Sequence, residues 1–178
     1  MAASIEDHQA IVNLIKGAAS WLPTMGTDQW AKPWPSLAER DERIRQGLET
    51  ESTWMVWDGA TAVATITSFL HGSTLLWTAE ERRLPAVYLH RVCIDRDYAG
   101  QEIGARLLDW ASERAAAEYG AQVSRIDAWS TNIKLHDYYR GIGFRFLRMV
   151  HESLDYPSGA LFERPLASGP TGPSKCPA

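Results

Sequence analysis

Apolar residues follow a helical spacing in some segments of the chain and a strand-like spacing in others, and these spacings predict its helices and strands. Apolar residues recur every three or four positions over residues 5–22, which predicts an amphipathic helix. A second helix is predicted to begin at Ser36, because Ser36 and Glu39 form a Ser-x-x-Glu capping box. Its apolar positions are expected to be buried and its basic positions to face solvent: Leu37, Ile44 and Leu48 in the first group, and Arg40, Arg43 and Arg45 in the second.

Patterns typical of strands occupy much of the remaining chain. Residues 53–69 predict a β-hairpin that turns at Asp58-Gly59, the type of dipeptide that tight hairpins favour. Further strands are predicted at residues 86–94 and 123–130, with a helix at 103–119 between them. The last predicted elements are a short helix at 132–140, stopped by Gly141 and Gly143, and two strands at 144–150 and 160–166.

This order of elements predicts an α/β (α+β) fold, with a mixed central sheet and helices on both of its faces. A length of 178 residues is typical of a single domain, which we place at residues 1–166. Residues 167–178 read ASGPTGPSKCPA, a polar stretch rich in Pro and Gly that is expected to be disordered.

The composition of the chain argues against some classes of binding partner. The chain carries a formal net charge of −4 and a sequence pI near 5.7, which argues against a surface that binds nucleic acid or an anionic membrane. The same acidity is mildly favourable for a cationic substrate. No apolar stretch approaches the roughly 18 residues that cross a membrane, and no secretory signal is evident at the N-terminus.

The two cysteines, Cys93 and Cys176, show neither a CxxC pattern nor the spacing of metal ligands. One lies in an apolar strand pattern and the other in the tail, so we expect a buried thiol and a free one. Both fit a reducing compartment, and the protein is expected to be cytoplasmic and to need no metal.

The stretch RDYAGQEIGARLLDW, residues 96–110, places a glycine-framed loop at the start of a predicted helix. Backbone N–H groups in the first turn of a helix lack partners, and the helix dipole makes this end positive. Such an end binds phosphate well, and glycines let a ligand approach the backbone. The alternative is that Gly100 and Gly104 only form a tight turn. The loop follows the strand of residues 86–94, and ligands bind at the carboxyl ends of strands in open α/β sheets.

Two segments, YLHRVCIDRDYAGQEIGARLLDWA and DAWSTNIKLHDYYRGIGFRF, together resemble the GNAT acyltransferase superfamily, which moves an acyl group from coenzyme A to an amine. In that family a strand, a pyrophosphate loop and a helix are followed by a second strand, an Asn, and a Tyr five residues before the Phe of a Gly-Phe pair. Here the last four residues are Asn132, Tyr139, Gly143 and Phe144. The resemblance runs from the first helix to Pro165.

The resemblance implies sites for acetyl-CoA, which would lie where two strands of the sheet splay apart. Its pyrophosphate would lie on the loop, and its pantetheine arm would pair with the backbone of Val92 and Ile94 as an added strand. Tyr139 would be the general acid that protonates the leaving thiolate, whereas Tyr138 would serve packing. Asn132 would contact CoA, cap its helix, or do both. The loop residues implied in cofactor binding are Ala99, Gly100, Gln101, Glu102, Ile103, Gly104 and Ala105.

A general base is also needed, because the attacking amine must lose a proton. Histidine suits this task near neutral pH, and His90 shares an alternation face with Val92 on the predicted strand. The segment YLHRVCID is similar to the serotonin N-acetyltransferase branch of the family, in which a His occupies this position. His90 is therefore either the base or a structural histidine, and Asp127 and Glu51 could hold a water instead. We expect His136, on the short helix, to be exposed.

The chain departs from the family pattern at three places. The loop consensus Arg/Gln-x-x-Gly-x-Gly/Ala begins here with Ala99 and carries Glu102 in place of its first glycine. A carboxylate at Glu102 would repel the phosphates if it points inward, and it could instead pair with Arg106. The strand that usually precedes the first helix is short or missing, since only about four residues precede the helix.

The acceptor is expected to be a small-molecule or peptide amine. Trp21, Trp30 and Trp34 either line an aromatic acceptor pocket or only pack. A second hypothesis is a GNAT-fold module that binds CoA or another ligand for regulation without turnover, which Glu102 favours and Tyr139 opposes. A third, acylation of charged tRNA, is disfavoured by the acidic pI. A homodimer is compatible with each of these functions.

Overall fold

The computed structural model describes residues 1–150 and 156–167. Within them the strands form one six-stranded sheet with the spatial order β1-β2-β3-β4-β6-β5. The strands are β1 (Thr53–Asp58), β2 (Thr61–Phe69), β3 (Ala86–Ile94), β4 (Val123–Ala128), β5 (Arg145–Met149) and β6 (Ala160–Pro165). The helices include α1 (His8–Trp21), α2 (Leu37–Glu49), α3 (Ile103–Tyr119) and α4 (Ile133–Gly141). Because β3 and β4 are parallel while their neighbours are antiparallel, the predicted mixed sheet is confirmed.

Helices cover both faces of the sheet, as predicted. On one face Ile11 of α1 and Ile44 of α2 are buried with Met55 of β1. On the other, Leu108 of α3 is buried against Leu89 of β3. The expected faces of α2 were partly wrong: Leu37 is 57% exposed. Arg40 and Arg43 are half-buried because that side of α2 borders a cavity rather than bulk solvent, whereas Arg45 is exposed as expected.

Strands β3 and β4 pair only at their amino-terminal ends. Their register runs from Ala86↔Val123 to Tyr88↔Arg125 and then stops. Beyond those pairs the two strands diverge, and the backbone of β3 from Leu89 onward has no ladder to β4. This divergence is the splayed pair of strands that the sequence analysis anticipates.

A β-bulge interrupts β3 at Arg91, which has a φ of 51°. Thr67 of β2 pairs with His90 while Thr65 pairs with Cys93, so two residues of β3 oppose one residue of β2. The extra residue shifts the alternation of side chains. Val92 packs on the α3 side, with the core that holds Val87 and Leu89, so it lies on the opposite face from His90. The expectation that His90 and Val92 share a face is therefore wrong.

The predicted short first strand is a short pairing of residues 1–3 with β1. The backbone N–H of Ala3 donates to the carbonyl of Thr53 at 2.9 Å, and Met55 donates to the carbonyl of Met1 at 3.0 Å. The predicted disordered tail lies, from residue 168 onward, outside the described residues. Within the described part of the chain, no helix has both the length and the apolar character needed to cross a bilayer.

Candidate active site

A cavity of about 400 Å³ opens beside the splay between β3 and β4. Its walls come from α1, the loop before α2, α2, β3, β4 and α4, and its volume is in the range of small-molecule sites. The cavity brings together several residues that the sequence analysis singles out from distant parts of the chain: Trp30, Trp34, His90, Val92 and Tyr139.

His90 faces a carboxylate across the splay. Its Nδ1 lies 3.3 Å from Oδ1 of Asp127, which is buried on β4. The hydroxyl of Tyr156 donates to the other oxygen, Oδ2, of Asp127 at 3.0 Å. The carboxylate therefore accepts a hydrogen bond from Tyr156 and lies at ion-pair distance from Nδ1 of His90. Its charge favours a proton on Nδ1, which leaves Nε2 of His90 as the nitrogen that can take a proton from a ligand.

Burial controls the protonation of this pair. It lowers the pKa of His90 below its ordinary 6.5, and the negative charge of Asp127 only partly opposes that effect. Burial also raises the pKa of Asp127 above its usual value, against the charge of His90 and the hydrogen bond from Tyr156. His90 is consequently a neutral imidazole at pH 7, which is the state that a general base requires.

Tyr139 lines the same cavity from α4. Its ring is buried against the rings of Phe144 and Phe162, with centroids 5.9 and 5.6 Å away. Burial raises the pKa of its phenol above the usual 10, so the group stays protonated and can act as a proton donor. Packing and proton donation are compatible here, because the ring is held by the core while the residue borders the cavity.

The glycine-framed loop lies beyond the end of β3, outside the cavity lining. Gly100 adopts a φ of 80°, in the left-handed region that glycine tolerates. A Cβ on Gly104 would lie 3.0 Å from the hydroxyl oxygen of Tyr138 and 3.3 Å from Cδ1 of Ile94, so only a very small residue fits there. The structure thus gives Tyr138 a contact at the start of α3 that the sequence analysis missed. This loop leads into the amino end of α3, a helix long enough to have a useful dipole.

Glu102 occupies the N-cap of α3 with a φ of 56°. This left-handed conformation explains the glycine that the family pattern places here. The side chain is exposed, and the ion pairs among the described residues do not include one between Glu102 and Arg106. Instead, the guanidinium of Arg106 lies 3.4 Å from the carbonyl oxygen of Gln101. The suggested pairing of Glu102 with Arg106 is therefore not formed.

Asn132 caps α4, one of the two roles considered for it. Its Oδ1 accepts from the backbone N–H of Leu135 at 3.1 Å, and its Nδ2 donates to Gln29 at 2.6 Å. Contact with CoA stays a prediction. His136 is buried, with Nε2 at 2.8 Å from the carbonyl oxygen of Trp129, so its expected exposure is wrong. The backbone carbonyl provides a partner that makes burial of the imidazole acceptable.

The tryptophans separate into two groups. Trp30 and Trp34 line the cavity, and the Trp34 ring meets Tyr156 edge-on at 4.7 Å between centroids. Trp21 does not line it and instead lies under the guanidinium of Arg96 at 3.7 Å. Glu51 borders a different cavity, so it is not placed to hold a water at His90.

Comparison with known proteins agrees with this geometry. The model of a family described as the acetyltransferase (GNAT) family matches residues 19–144. The chain is 28% identical over 149 residues to YesJ of Bacillus subtilis (strain 168), which is described as an uncharacterized N-acetyltransferase. The match covers 82% of this chain and 80% of YesJ.

Solved structures share the fold at low sequence identity. A GNAT-family acetyltransferase from Listeria monocytogenes superposes with a TM-score of 0.74 at 22% identity, covering 93% of each chain. The PaiA N-acetyltransferase of Thermoplasma acidophilum, solved in complex with coenzyme A, gives a TM-score of 0.61 at 15% identity. That match covers 93% of this chain and 97% of the other.

Proposed function

Since the chain belongs to the acetyltransferase (GNAT) family, we propose that it transfers the acetyl group of acetyl-CoA to a primary amine of a small molecule or peptide. The observation that carries the proposal is the cavity in which a neutral imidazole, oriented by Asp127, and the buried phenol of Tyr139 both border the splay of β3 and β4. A base and an acid at one cleft are the groups that acyl transfer to an amine requires.

The local structure around the splay fits acetyl-CoA as co-substrate. The pyrophosphate would lie on the backbone N–H groups of residues 100–105, where Gly100 supplies the turn and Gly104 leaves room beside Tyr138. The pantetheine arm would pair with the open edge of β3 at Val92 and Ile94, which β4 leaves without a partner. The thioester would then reach the cavity at the level of Val92.

The roles of the two side chains follow from their protonation states. His90 accepts a proton from the amine through Nε2 as the amine nitrogen bonds to the acetyl carbon. Tyr139 donates its hydroxyl proton to the sulfur as the carbon–sulfur bond breaks. Burial disfavours a thiolate in this cavity as it disfavours the phenolate, so the sulfur competes for the proton of Tyr139. Positioning of the amine against the thioester supplies much of the remaining rate enhancement.

Binding without turnover is the second candidate, and Glu102 is the observation that favours it. A carboxylate near the phosphates would weaken the cofactor, costing about 1 kcal/mol at 4 Å in water. The contacts of His90 argue against this candidate, since a purely binding cavity has no need of an oriented neutral imidazole.

The test combines two measurements on the full chain. Thiol release from acetyl-CoA is followed with a panel of primary amines, and binding of CoA is measured by calorimetric titration. Amine-dependent thiol release at rates above the uncatalysed reaction supports the enzyme. Tight CoA binding without any amine-dependent release, over the whole panel and from pH 6 to 9, would favour the regulatory module.

A further inference from the structure

The cavity has a charge opposite to that of the whole chain. The formal net charge of the protein is −4. Yet the cavity is lined by five basic side chains and, among the described residues, by one carboxylate, that of Asp127. The basic residues come from α1, the loop before α2, α2 itself and the bulge of β3: Lys16, Lys32, Arg40, Arg43 and Arg91. Such a local excess of positive charge attracts an anion.

Arg43 and Arg91 meet on one wall of the cavity, since a Cβ on Gly47, one turn after Arg43 on α2, would lie 3.6 Å from Nη1 of Arg91. Burial and the neighbouring charge of Arg43 lower the pKa of Arg91 to about 10, and Asp127 and Tyr156 oppose this effect. A pKa of about 10 leaves Arg91 charged at neutral pH. Among the described residues, Arg91 makes one long side-chain hydrogen bond, 3.5 Å to Oγ1 of Thr67, and that contact leaves most of its donors unused. Two half-buried guanidinium groups that line one cavity are an arrangement that a carboxylate or phosphate would stabilise.

Arg40 contributes less to this excess of charge. Its Nε and Nη2 donate to Oδ1 of Asp41 at 2.9 and 2.7 Å, which offsets its charge. Arg43 instead stacks over Trp34, with Cζ 5.3 Å from the ring centroid, and donates to the carbonyl oxygen of Trp34. That contact fixes the guanidinium without neutralising it. Lys16 and Lys32 are exposed, so solvent and salt screen their charges more than those of the half-buried Arg43 and Arg91. Arg43 and Arg91 are therefore the strongest anion-binding candidates of the five.

A series of contacts joins Arg43 to the proposed base, His90. Arg43 lies on Trp34, Trp34 packs edge-on against Tyr156, and Tyr156 donates to Asp127. Asp127 in turn holds His90. Arg91 directly follows His90 on β3, and Arg43, Arg91 and His90 line one cavity of about 400 Å³. A ligand of small-molecule size can therefore place an anionic group at the arginines while another of its groups lies at Nε2 of His90.

The phosphates of CoA belong at a different place in the fold. The loop of residues 99–105 follows the end of β3, and none of its residues borders the cavity, whose lining on β3 ends at Val92. Arg43 and Arg91 lie away from this loop, Arg43 on α2 and Arg91 at the bulge of β3. The positive charge in the cavity is thus available to the acceptor.

We propose that the acceptor is a primary amine that also carries a carboxylate or phosphate group, which Arg43 and Arg91 bind while the amine lies at His90. This inference rests on the proposed acetyltransferase function. It reverses the mild preference for a cationic substrate that the acidic pI suggests, because the charge of the cavity, not that of the chain, acts on the acceptor.

Matched pairs of acceptors test the inference. L-phenylalanine is compared with L-phenylalaninamide, 4-aminobutyrate with 4-aminobutyramide, and glucosamine 6-phosphate with glucosamine. The pairs separate a carboxylate from a phosphate and an aromatic scaffold from an aliphatic one. In at least one pair the anionic member is expected to show a kcat/KM about 10- to 100-fold above its neutral partner, the scale of a charged hydrogen bond. Equal or better use of the neutral member in every pair overturns the proposal.

An Arg43→Gln variant locates the effect. Its kcat/KM for the preferred anionic acceptor is expected to fall about 10- to 100-fold more than its kcat/KM for the neutral partner, and its KM for the anionic acceptor to rise far more than its KM for acetyl-CoA. Arg45→Gln is the matched control, since Arg45 lies on the same helix, is exposed and pairs with Glu42 at 3.7 Å. An increase in the KM for acetyl-CoA instead would assign the arginines to the cofactor and overturn the proposal.

Binding measurements separate this inference from the proposed function. Each pair is titrated into the protein saturated with CoA, a measurement that needs no turnover. Tighter binding of an anionic member, lost in Arg43→Gln, supports the anion site even if no amine promotes thiol release. Turnover of neutral amines with no preference for anions in either assay leaves the acetyltransferase proposal standing and overturns this inference. Failure of every anionic probe to bind or react also overturns it.

Discussion

His90 and Asp127 face each other just beyond the last paired residues of β3 and β4. The last register pair of the two strands is Tyr88↔Arg125, and His90 and Asp127 each lie two residues further along. Their side chains thus point to the same face of the sheet, and Nδ1 of His90 lies 3.3 Å from Oδ1 of Asp127. The pair bridges the splay at the level where a thioester would enter, so the position of the base depends on the register of the parallel strands.

Replacing Asp127 tests whether the carboxylate positions His90. Asp127→Asn is expected to lower kcat/KM about 10- to 100-fold, because the imidazole loses the acceptor that orients it. Since the charge of Asp127 raises the pKa of His90, its removal lowers that pKa further. The ascending limb of the pH–rate profile should therefore move to lower pH.

The control for this variant is Asp137→Asn, which removes an exposed carboxylate that pairs with Arg140 on α4. It should leave both the rate and the profile unchanged. An Asp127→Asn enzyme with a reduced rate but an unmoved ascending limb would assign Asp127 to packing alone.

His90→Gln removes the proposed base itself. The variant should show a lower kcat/KM at neutral pH and a partial recovery at high pH, where the free amine is already neutral. Burial lowers the pKa of His90, so in the wild type the base limb should lie below pH 6.5, with activity lost as His90 is protonated. The test is to measure steady-state rates of both enzymes between pH 5 and 10, together with the KM for acetyl-CoA. A wild-type profile in the variant would make His90 a structural residue.

Tyr139→Phe should keep the fold and the binding of CoA while lowering kcat by roughly 10²–10⁴, the usual effect of losing a general acid. The ring remains to pack against Phe144 and Phe162, so the melting temperature should change little. Tyr138→Phe is the matched control, because Tyr138 is its neighbour on α4 but is exposed and lies at Gly104. A kcat that falls in the control and not in Tyr139→Phe would exchange the roles of the two tyrosines.

The sequence predicted the elements well because hydrophobic periodicity and spaced motifs are local signals. The hairpin of β1 and β2, the capped start of α2 at Ser36 and the cap of α4 at Asn132 each depend on a few neighbouring residues. The hairpin turns at Gly59-Ala60, one residue beyond the predicted Asp58-Gly59, because Asp58 still pairs with Thr61. The meeting of His90 with Tyr139 at one cavity could be expected only through the family resemblance, since periodicity says nothing of contacts between distant elements.

The positive charge that Arg43 and Arg91 bring to the cavity could not be predicted from the sequence, for a physical reason. The apolar and polar positions of a helix have the same spacing whether its polar side borders a cavity or solvent. Arg43 was therefore assigned to the outer face of α2. The bulge at Arg91 was also missed, because no glycine marks the left-handed residue and alternation then fails beyond it. Tyr156 lies in a loop, for which no periodicity predicts a contact with Asp127.

Glu102 has a strained backbone conformation and also carries a charge in the loop proposed to bind the pyrophosphate. Its φ of 56° places a non-glycine side chain in the left-handed region, which costs about 1–2 kcal/mol, offset in part by the greater freedom of glycine in the unfolded chain. Within residues 1–150 and 156–167, the Glu102 side chain forms neither an ion pair nor a hydrogen bond that would offset this cost. Glu102→Gly is therefore expected to raise the melting temperature of the free protein, contrary to what pairing with Arg106 would imply.

The charge of Glu102 is separated from its strain by a second variant, Glu102→Gln, which removes the carboxylate and keeps the side chain in the left-handed region. If the carboxylate repels the pyrophosphate, both variants should bind acetyl-CoA more tightly, by up to about tenfold, whereas only the glycine variant should gain stability. Calorimetric titration and thermal melts of all three proteins provide the comparison. Tighter binding in Glu102→Gly alone would mean that a relaxed loop, and not relief of repulsion, favours the cofactor. Unchanged binding in both variants would show that the carboxylate faces away from the phosphates, in keeping with its exposure in the free protein.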